Sequence, residues 1–335
     1  MTARLRIGLL GGVPPSLGGG GLEFQIANTG AALERLGHVV VRVERHDTAR
    51  GFDLLHAFGA EPSVWHLLSH WTRNPAPLVL TPVIVVSPGR EERLLRLSAR
   101  VPALTTGRMK RELIQRADAV IAGTEYERDL VTSAFGAEPS RVRVLGNGAD
   151  PPADVAPPPA GVPAAGTYAL LLGAVSERKR QVETVEALAG AVPVVVAGGF
   201  VGHERERAHW ERCVSDTGAV WLDHVADRAV VAGLVRGARA LVHLSQAEVQ
   251  SLAVLEALAA ATPVVLSDIP SHRELAAAYP GFVRIAAGPA DVPRAVAELD
   301  GPPGQPPAVP TWADVASKLT DLYGSLVTSN QKDPP

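Results

Sequence analysis

The stretch that decides the fold reads Leu241-Val-His-Leu-Ser245-Gln-Ala-Glu248-Val-Gln-Ser251-Leu-Ala-Val-Leu-Glu256-Ala-Leu-Ala-Ala-Ala-Thr-Pro263-Val-Val-Leu-Ser-Asp268. Its first apolar run, 241–244, predicts a short buried strand. A helix should follow, because leucines at 252, 255 and 258 share one helical face and Ser251 is placed to cap it. The run 263–266 predicts the next strand. A strand, a helix and a strand in this order are typical of a parallel α/β fold.

Two carboxylates, Glu248 and Glu256, lie eight positions apart across the predicted strand-to-helix turn. Amides exposed at the start of such a helix attract a phosphate or diphosphate. A carboxylate beside that anion is poorly placed to bind it, but it is well placed to accept hydrogen bonds from neighbouring sugar hydroxyls. The alternative is an ordinary amphipathic helix with two solvated glutamates, and the spacing alone favours that alternative.

The whole stretch resembles the donor site of retaining glycosyltransferases of the family 4, or group 1, type. Their pattern is Ser-x-x-Glu-Gly-Phe-Gly, a Leu-Glu-Ala-(Met/Leu)-Ala helix and Gly-x-Pro-Val-Val-x-Ser-Asp. Here Val249, Gln250 and Ser251 replace Gly-Phe-Gly, and Ala261 replaces a glycine. The resemblance implies that Glu248 contacts the donor sugar and Glu256 holds the nucleotide ribose. It also implies that the donor is lined by the residues of the adjoining turn, Val249, Gln250, Ser251 and Leu252.

Composition narrows the class of protein. A chain of 335 residues favours two domains over one. A net charge of −3 argues against nucleic acid as a partner. Cys213 is the single cysteine, so no internal disulfide forms, which suits a reducing cytosol.

The N-terminal segment is basic and then apolar, but its apolar run is too short for a signal peptide and breaks at Gly11-Gly12. It predicts a first buried strand instead. No run reaches the length of a membrane-spanning helix, so no integral membrane segment is expected. We therefore expect a cytoplasmic protein. Members of the family act on lipid-linked acceptors, which leaves peripheral membrane contact open.

Strand and helix patterns alternate along the chain, which predicts parallel sheets covered by helices. Residues 1–150 form a first Rossmann-like domain, 151–166 a proline- and alanine-rich linker, and 167–305 a second Rossmann-like domain. The resemblance implies the GT-B architecture, in which the two domains face each other across a cleft. It also implies that the second domain binds the donor, and that a final helix, 311–327, returns to the first. Predicted strands span 5–10, 38–43, 53–58, 78–86, 118–122, 142–145, 168–173, 192–197, 219–222, 241–244 and 263–266.

A glycine-rich loop, 11–23, joins the first predicted strand to the first helix. Glycines let backbone amides approach a ligand closely. The loop lacks the Gly-Lys-Ser/Thr of a phosphate-binding P-loop and is no clean dinucleotide fingerprint, so a glycine loop without a ligand is an equal alternative. It resembles the family's Gly-Gly-x-Glu loop, and that resemblance assigns Gly20 and Gly21 to the donor site.

A basic turn, Gly173-Ala-Val-Ser-Glu-Arg178-Lys179-Arg180, follows the first predicted strand of the second domain. Cations at a helix start oppose the helix dipole unless an anion binds there, which favours an anion site over a solvated turn. The turn resembles the family's Gly-Arg-Leu-x-x-x-Lys-Gly diphosphate clamp. Lys179 matches the family lysine, Gly173 matches the glycine, and Ala174 replaces the arginine, for which Arg178 is the candidate substitute.

The first domain offers less catalytic chemistry. Family members often carry a histidine after the strand that matches residues 78–83, and Val83 stands there. His56 lies in the second half of the predicted strand 53–58 and is a candidate catalytic residue facing the cleft, with a structural histidine as the alternative. No Asp-x-Asp motif is present for a metal-bound diphosphate, so we expect neither a metal nor another cofactor.

Together these motifs predict a retaining, metal-independent glycosyltransferase that uses a nucleotide sugar as co-substrate. Glu248, Lys179, Arg178 and His56 are its candidate catalytic residues. The acceptor is a carbohydrate, a lipid-linked sugar or a small molecule. Two alternatives keep the same fold. One is a catalytically silent sugar-binding or partner-activating protein, and the other is a nucleotide-sugar epimerase.

Overall fold

A computed structural model describes residues 4–12, 20–43, 51–69, 76–299 and 305–332. The chain forms two compact units. Unit 1 comprises Met1–Gly148 and Pro310–Pro335, and unit 2 comprises Ala149–Val309. Each unit carries a six-stranded parallel sheet, as the alternating pattern predicts.

Unit 1 has the strand order β2-β1-β3-β4-β5-β6. Its strands are β1 (Arg6–Gly11), β2 (Val39–Arg42), β3 (Leu54–Phe58), β4 (Leu78–Thr81), β5 (Ala119–Ala122) and β6 (Val142–Val144). Its helices are α1 (Gly21–Arg35), α2 (Pro62–Ser69), α3 (Arg90–Ser98), α4 (Thr106–Arg116), α5 (Glu125–Ser133) and the last helix of the chain, α12 (Trp312–Lys332).

Helix α12 packs against α1, so unit 1 is built from both ends of the chain. Two buried hydrogen bonds fix this packing. Tyr323 Oη lies 2.6 Å from His56 Nδ1, and Thr320 Oγ1 lies 3.0 Å from His38 Nε2. These bonds join residues of α12 to the two strand regions that precede and follow β2.

The predicted strand 78–86 is too long, because β4 ends at Thr81. Since β4 pairs with β3 on one side and β5 on the other, Pro82 ends an interior strand of the sheet. The next residue, Val83, has a φ of +49°, which is rare for a β-branched side chain. The chain therefore leaves the sheet sharply at this point.

Unit 2 has the strand order β12-β11-β10-β7-β8-β9. Its strands are β7 (Ala169–Leu172), β8 (Val194–Ala197), β9 (Val220–Trp221), β10 (Ala240–His243), β11 (Val264–Ser267) and β12 (Val283–Ala286). Its helices are α6 (Gln181–Leu188), α7 (Glu204–Thr217), α8 (Arg228–Gly237), α9 (Leu252–Ala259), α10 (Pro270–Ala278) and α11 (Val292–Ala297). The sequence patterns missed β12.

The strand order of unit 2 reverses between β7 and β10, because the chain runs outward through β8 and β9 and then returns to the other side of β7. Crevices outside the carboxyl ends of parallel strands at such a reversal are where this class of sheet binds ligands. The loops that leave β7 and β10 are therefore neighbours, and they carry the basic turn and Glu248.

The predicted linker, 151–166, belongs to unit 2 and packs on α8 at its start. Ala156 N donates to the Ala229 carbonyl over 2.9 Å. A side chain at Gly233 would collide with the Ala156 carbonyl, so the helix and the segment touch through their backbones. This part of the predicted linker is therefore packed against unit 2 as part of its structure.

Candidate functional site

The candidate site lies at the strand-order reversal of unit 2, where Arg178 ties the loop after β7 to the loop after β10. Its Nη1 donates to Glu248 Oε1 over 2.8 Å, to Ser245 Oγ over 2.9 Å and to the Ala247 carbonyl. Its own carbonyl accepts from Gln246 N over 2.9 Å. The predicted basic turn and the predicted sugar-binding carboxylate therefore form one cluster.

Glu248 is held as a carboxylate in this cluster. Its side chain is 13% exposed, and Oε1 also lies 3.2 Å from His243 Nε2 at the end of β10. Burial alone raises the pKa of Glu248, but His243 and Arg178 outweigh burial and hold the pKa well below its usual range. Among the described residues, no hydrogen bond reaches Oε2. Glu248 is thus ionised, and Oε2 is left to accept hydrogen bonds from a ligand.

Lys179 completes the positive side of the cluster, and Gly173 makes room for it. Gly173 follows β7 with a φ of +114°, and a Cβ there would lie 2.6 Å from Lys179 Nζ. A larger residue would be strained and would displace the ammonium. Burial lowers the pKa of Lys179, the charge of Glu248 opposes this, and Arg178 adds to it. Within the described part of the chain, the ammonium has no hydrogen-bond or ion-pair partner.

The turn 249–252 follows Glu248 and leads into α9. Val249 is buried, and Ser251 occupies the N-cap position, but its side chain makes no capping hydrogen bond, so that part of the sequence prediction is wrong. None of Val249, Gln250 and Ser251 has a positive φ, so replacing the family's glycines strains no backbone there. Ala261 differs, because its φ is +61°, a conformation that favours glycine.

Glu256 lies apart from the Arg178–Glu248 contacts. It pairs with Arg228 Nη2 at the start of α8 and lines a cavity of about 420 Å³ between α8, α9 and the segment 150–154. Burial raises the pKa of Glu256, and Arg228 opposes that rise without cancelling it. The structure thus places the two predicted carboxylates in two neighbouring environments on the same loop-and-helix segment.

Comparison with known proteins supports one family. The model of Glycosyltransferase Family 4 matches residues 39–152, and the model of Glycosyl transferases group 1 matches residues 158–299. The chain belongs to the group 1 glycosyltransferases. No curated protein matches its sequence.

Solved structures show that this glycosyltransferase has the GT-B fold. AviGT4, a glycosyltransferase involved in avilamycin A biosynthesis, matches with a TM-score of 0.63, 17% identity and coverage of 97% of this chain and 98% of that one. Sucrose-phosphate synthase from Thermosynechococcus elongatus matches with a TM-score of 0.66, 16% identity and 98% coverage of both chains. WaaG, a glycosyltransferase involved in lipopolysaccharide biosynthesis, matches with a TM-score of 0.57, 17% identity and coverage of 97% and 99%. The predicted α/β class, fold family and enzyme class are confirmed.

In unit 1 of the glycosyltransferase, His56 is 1% exposed, and both its ring nitrogens have partners. Nδ1 meets Tyr323 Oη at 2.6 Å, and Nε2 meets Thr81 Oγ1 at 2.8 Å. Burial lowers the pKa of His56 to about 3. These contacts favour the structural alternative for His56 over a catalytic role.

Gly20 caps α1, and Gly21 begins it. A Cβ on either residue would meet no atom within 4 Å, so packing within the described residues does not require glycine there. Most of the glycine loop before them, 13–19, lies outside the described residues. The donor assignment of Gly20 and Gly21 stays a prediction.

Sequence reasoning missed a layer of imidazoles behind Glu248. His243 contacts the carboxylate, and the ring of His272 lies 5.7 Å from that of His243 between centroids. His272 Nδ1 is 3.0 Å from Ser267 Oγ, whose hydroxyl donates to the Ser245 carbonyl. The signal was a histidine inside the apolar run 241–244.

No group of three or more His, Cys, Asp or Glu side chains in the part of the chain that the structure describes is arranged to hold a metal ion. No helix there is both long and apolar enough to cross a bilayer.

Proposed function

We propose that this glycosyltransferase takes its sugar from a nucleotide-sugar donor, that unit 2 binds that donor, and that transfer proceeds with retention and without a metal ion. The observation that carries the proposal is the Lys179 ammonium beside the Arg178–Glu248 pair at the strand-order reversal of unit 2. A cation that has no partner among the described residues, set next to a carboxylate that is already paired, suits a ligand with both an anionic and a hydroxylated part.

The anionic part is the donor diphosphate. Breaking the bond between sugar and phosphate leaves negative charge on the departing oxygen, and fixed cations stabilise that charge. Lys179 supplies one cation, and burial makes its charge more costly when no anion is bound. Arg178 supplies a second, since its three hydrogen bonds all use Nη1 and its side chain is 41% exposed. These two cations take the place of a divalent ion.

The hydroxylated part is the donor sugar. Because Glu248 stays ionised, it accepts hydrogen bonds from sugar hydroxyls through Oε2 and does not act as a proton donor. Its charge also stabilises the positive character that develops at the anomeric carbon. His243 and Arg178 fix its orientation through Oε1.

The chemical step is a front-face displacement. The acceptor oxygen bonds to the anomeric carbon while the bond from that carbon to the phosphate oxygen breaks. The departing phosphate oxygen takes the acceptor proton, so the products are the glycoside and the nucleoside diphosphate. No base from the protein is required. This agrees with His56 being buried, with both ring nitrogens in hydrogen bonds. Unit 1 takes the acceptor, which is a carbohydrate, a lipid-linked sugar or a small molecule.

The test is a donor screen followed by product analysis. ADP-, GDP- and UDP-sugars are titrated calorimetrically, and the sugar bound most tightly is incubated with a panel of acceptors. NMR then gives the anomeric configuration of donor and product. Retention with EDTA present supports the proposal. An inverted product, or activity only with added Mg²⁺ or Mn²⁺, contradicts it.

A further inference from the structure

Arg228 is the first residue of α8, where a cation opposes the helix dipole. Its guanidinium crosses to α9 and donates from Nη2 to Oε1 of Glu256. A carboxylate has about four lone-pair positions, so this contact leaves most of the acceptor capacity of Glu256 unused. Arg228 therefore occupies a helix position that is unfavourable for a cation, and it contacts Glu256, the carboxylate predicted to bind ribose.

The surroundings of this pair are acidic. The charged groups that line the cavity with Glu256 are Asp150 and Asp154 from segment 150–154, Asp227 at the N-cap of α8 and Arg228 in α8, while α9 adds no other charge. Burial disfavours an ionised carboxylate. Burial already raises the pKa of Glu256 with Arg228 in place. Among the described residues lining the cavity, Arg228 is the only cation and so opposes this.

Ionisation matters because of what ribose presents. Its two adjacent hydroxyls both donate, and an ionised carboxylate accepts both, whereas a protonated one uses an oxygen as a donor. We propose that Arg228 is a positioning residue that keeps Glu256 ionised and turned to the cavity, so that the site selects ribonucleotide over deoxyribonucleotide donors. This inference rests on the proposed role of Glu256 in binding the nucleotide ribose.

The experiment compares Arg228→Met with Arg236→Met, a matched control at the exposed last turn of the same helix. ADP, GDP and UDP, with their 2′,3′-dideoxy forms, are titrated calorimetrically at pH 5.5 and pH 8.5. A cation this close lowers a carboxyl pKa by about 1–3 units, and each unit is a tenfold effect below both pKa values. At pH 5.5 Arg228→Met should therefore weaken the tightest ribonucleotide by up to about tenfold for each unit by which the pKa of Glu256 rises, and at pH 8.5 the loss should be much smaller.

The dideoxy forms should bind Arg228→Met and wild type equally, and Arg236→Met should match wild type throughout. Arg228→Lys keeps the charge and should recover most of the loss at pH 5.5, which guards against a folding defect in Arg228→Met. An equal loss at both pH values, or an equal loss for dideoxy forms, overturns the role of Arg228. The proposed function is tested separately with Glu256→Gln. If that variant weakens ribonucleotide binding, the proposed function stands even when the role of Arg228 is overturned. Wild type that binds none of the three nucleoside diphosphates overturns both.

Discussion

Replacing Lys179 with methionine should separate stability from function. The described residues give its ammonium no hydrogen bond or ion pair, so the variant loses only the longer-range attraction to Glu248, which the repulsion from Arg178 opposes. Methionine keeps an unbranched, flexible side chain at this position and removes the charge. The unfolding free energy should therefore fall by no more than about 0.5 kcal/mol. Because burial penalises the charged ammonium, removing the charge favours an increase in the unfolding free energy.

Function should respond in the opposite sense. Lys179 is proposed to stabilise the departing diphosphate, and removing one such electrostatic donor costs about 100- to 1000-fold in rate, which is about 2.7–4 kcal/mol. Turnover is measured by release of nucleoside diphosphate, and stability by urea unfolding. The control is Lys318→Met, an exposed lysine on α12, which should change neither quantity.

The pH dependence gives an independent check. The lowered pKa of Lys179 means that the folded protein loses this proton before the unfolded chain does. Between the folded pKa and the ordinary value of 10.5, the unfolded state binds more protons, so wild-type stability rises with pH. The variant lacks that rise. A variant that is destabilised by more than 1 kcal/mol, or one that keeps full turnover, would refute the reasoning.

Five further outcomes follow from features already described. Glu248→Gln should lose transfer, while its affinity for free nucleoside diphosphate should stay within about twofold of wild type. Weaker hydrogen bonds to Arg178 should lower the free energy of unfolding in urea by about 1–3 kcal/mol. Intact transfer would remove Glu248 from the site. Ala261→Gly should relieve the left-handed strain and stabilise by about 0.5–1 kcal/mol with unchanged turnover, and a loss of stability would contradict this. His56→Phe should leave donor affinity unchanged but cost about 1–3 kcal/mol for each hydroxyl left unpaired. Because its pKa is lowered to about 3, His56 should also make wild-type stability fall as pH drops from 6.5 toward 3, and this contribution should be missing in the variant. EDTA should leave turnover unchanged, and restoration of lost activity by Mn²⁺ would contradict metal independence.

Local patterns predicted most of the elements, and the family resemblance assigned Lys179 and Glu248 to one donor site. The runs that became β7 and β10 were visible as apolar strands, and Lys179 and Glu248 each follow one of them. Once two strands are adjacent and parallel, their carboxyl ends meet at one edge, so residues 69 positions apart become neighbours. That step needs only the strand order.

The failures have physical causes. Strand β12 was missed because Arg284 interrupts a run of only four residues. The end of β4 was misplaced because an apolar run continues past Thr81, while Pro82 and the positive φ of Val83 end the pairing. The partner of Glu256 could not be predicted. Arg228 lies on α8 and Glu256 on α9, and no spacing rule links residues on different helices.

The two-part make-up of unit 1 has a consequence for biosynthesis. Helix α12 supplies the buried Tyr323 hydroxyl to His56, yet it is translated after all of unit 2. At about 5–20 residues per second, the ribosome needs on the order of ten seconds or more to cross the intervening unit. Throughout that interval the nascent first sheet lacks its partner helix and exposes the face of α1 that α12 later covers. Unit 2, which is continuous in sequence, can be complete earlier. The N-terminal part of this chain is therefore the part that most needs protection from premature association while it is being made.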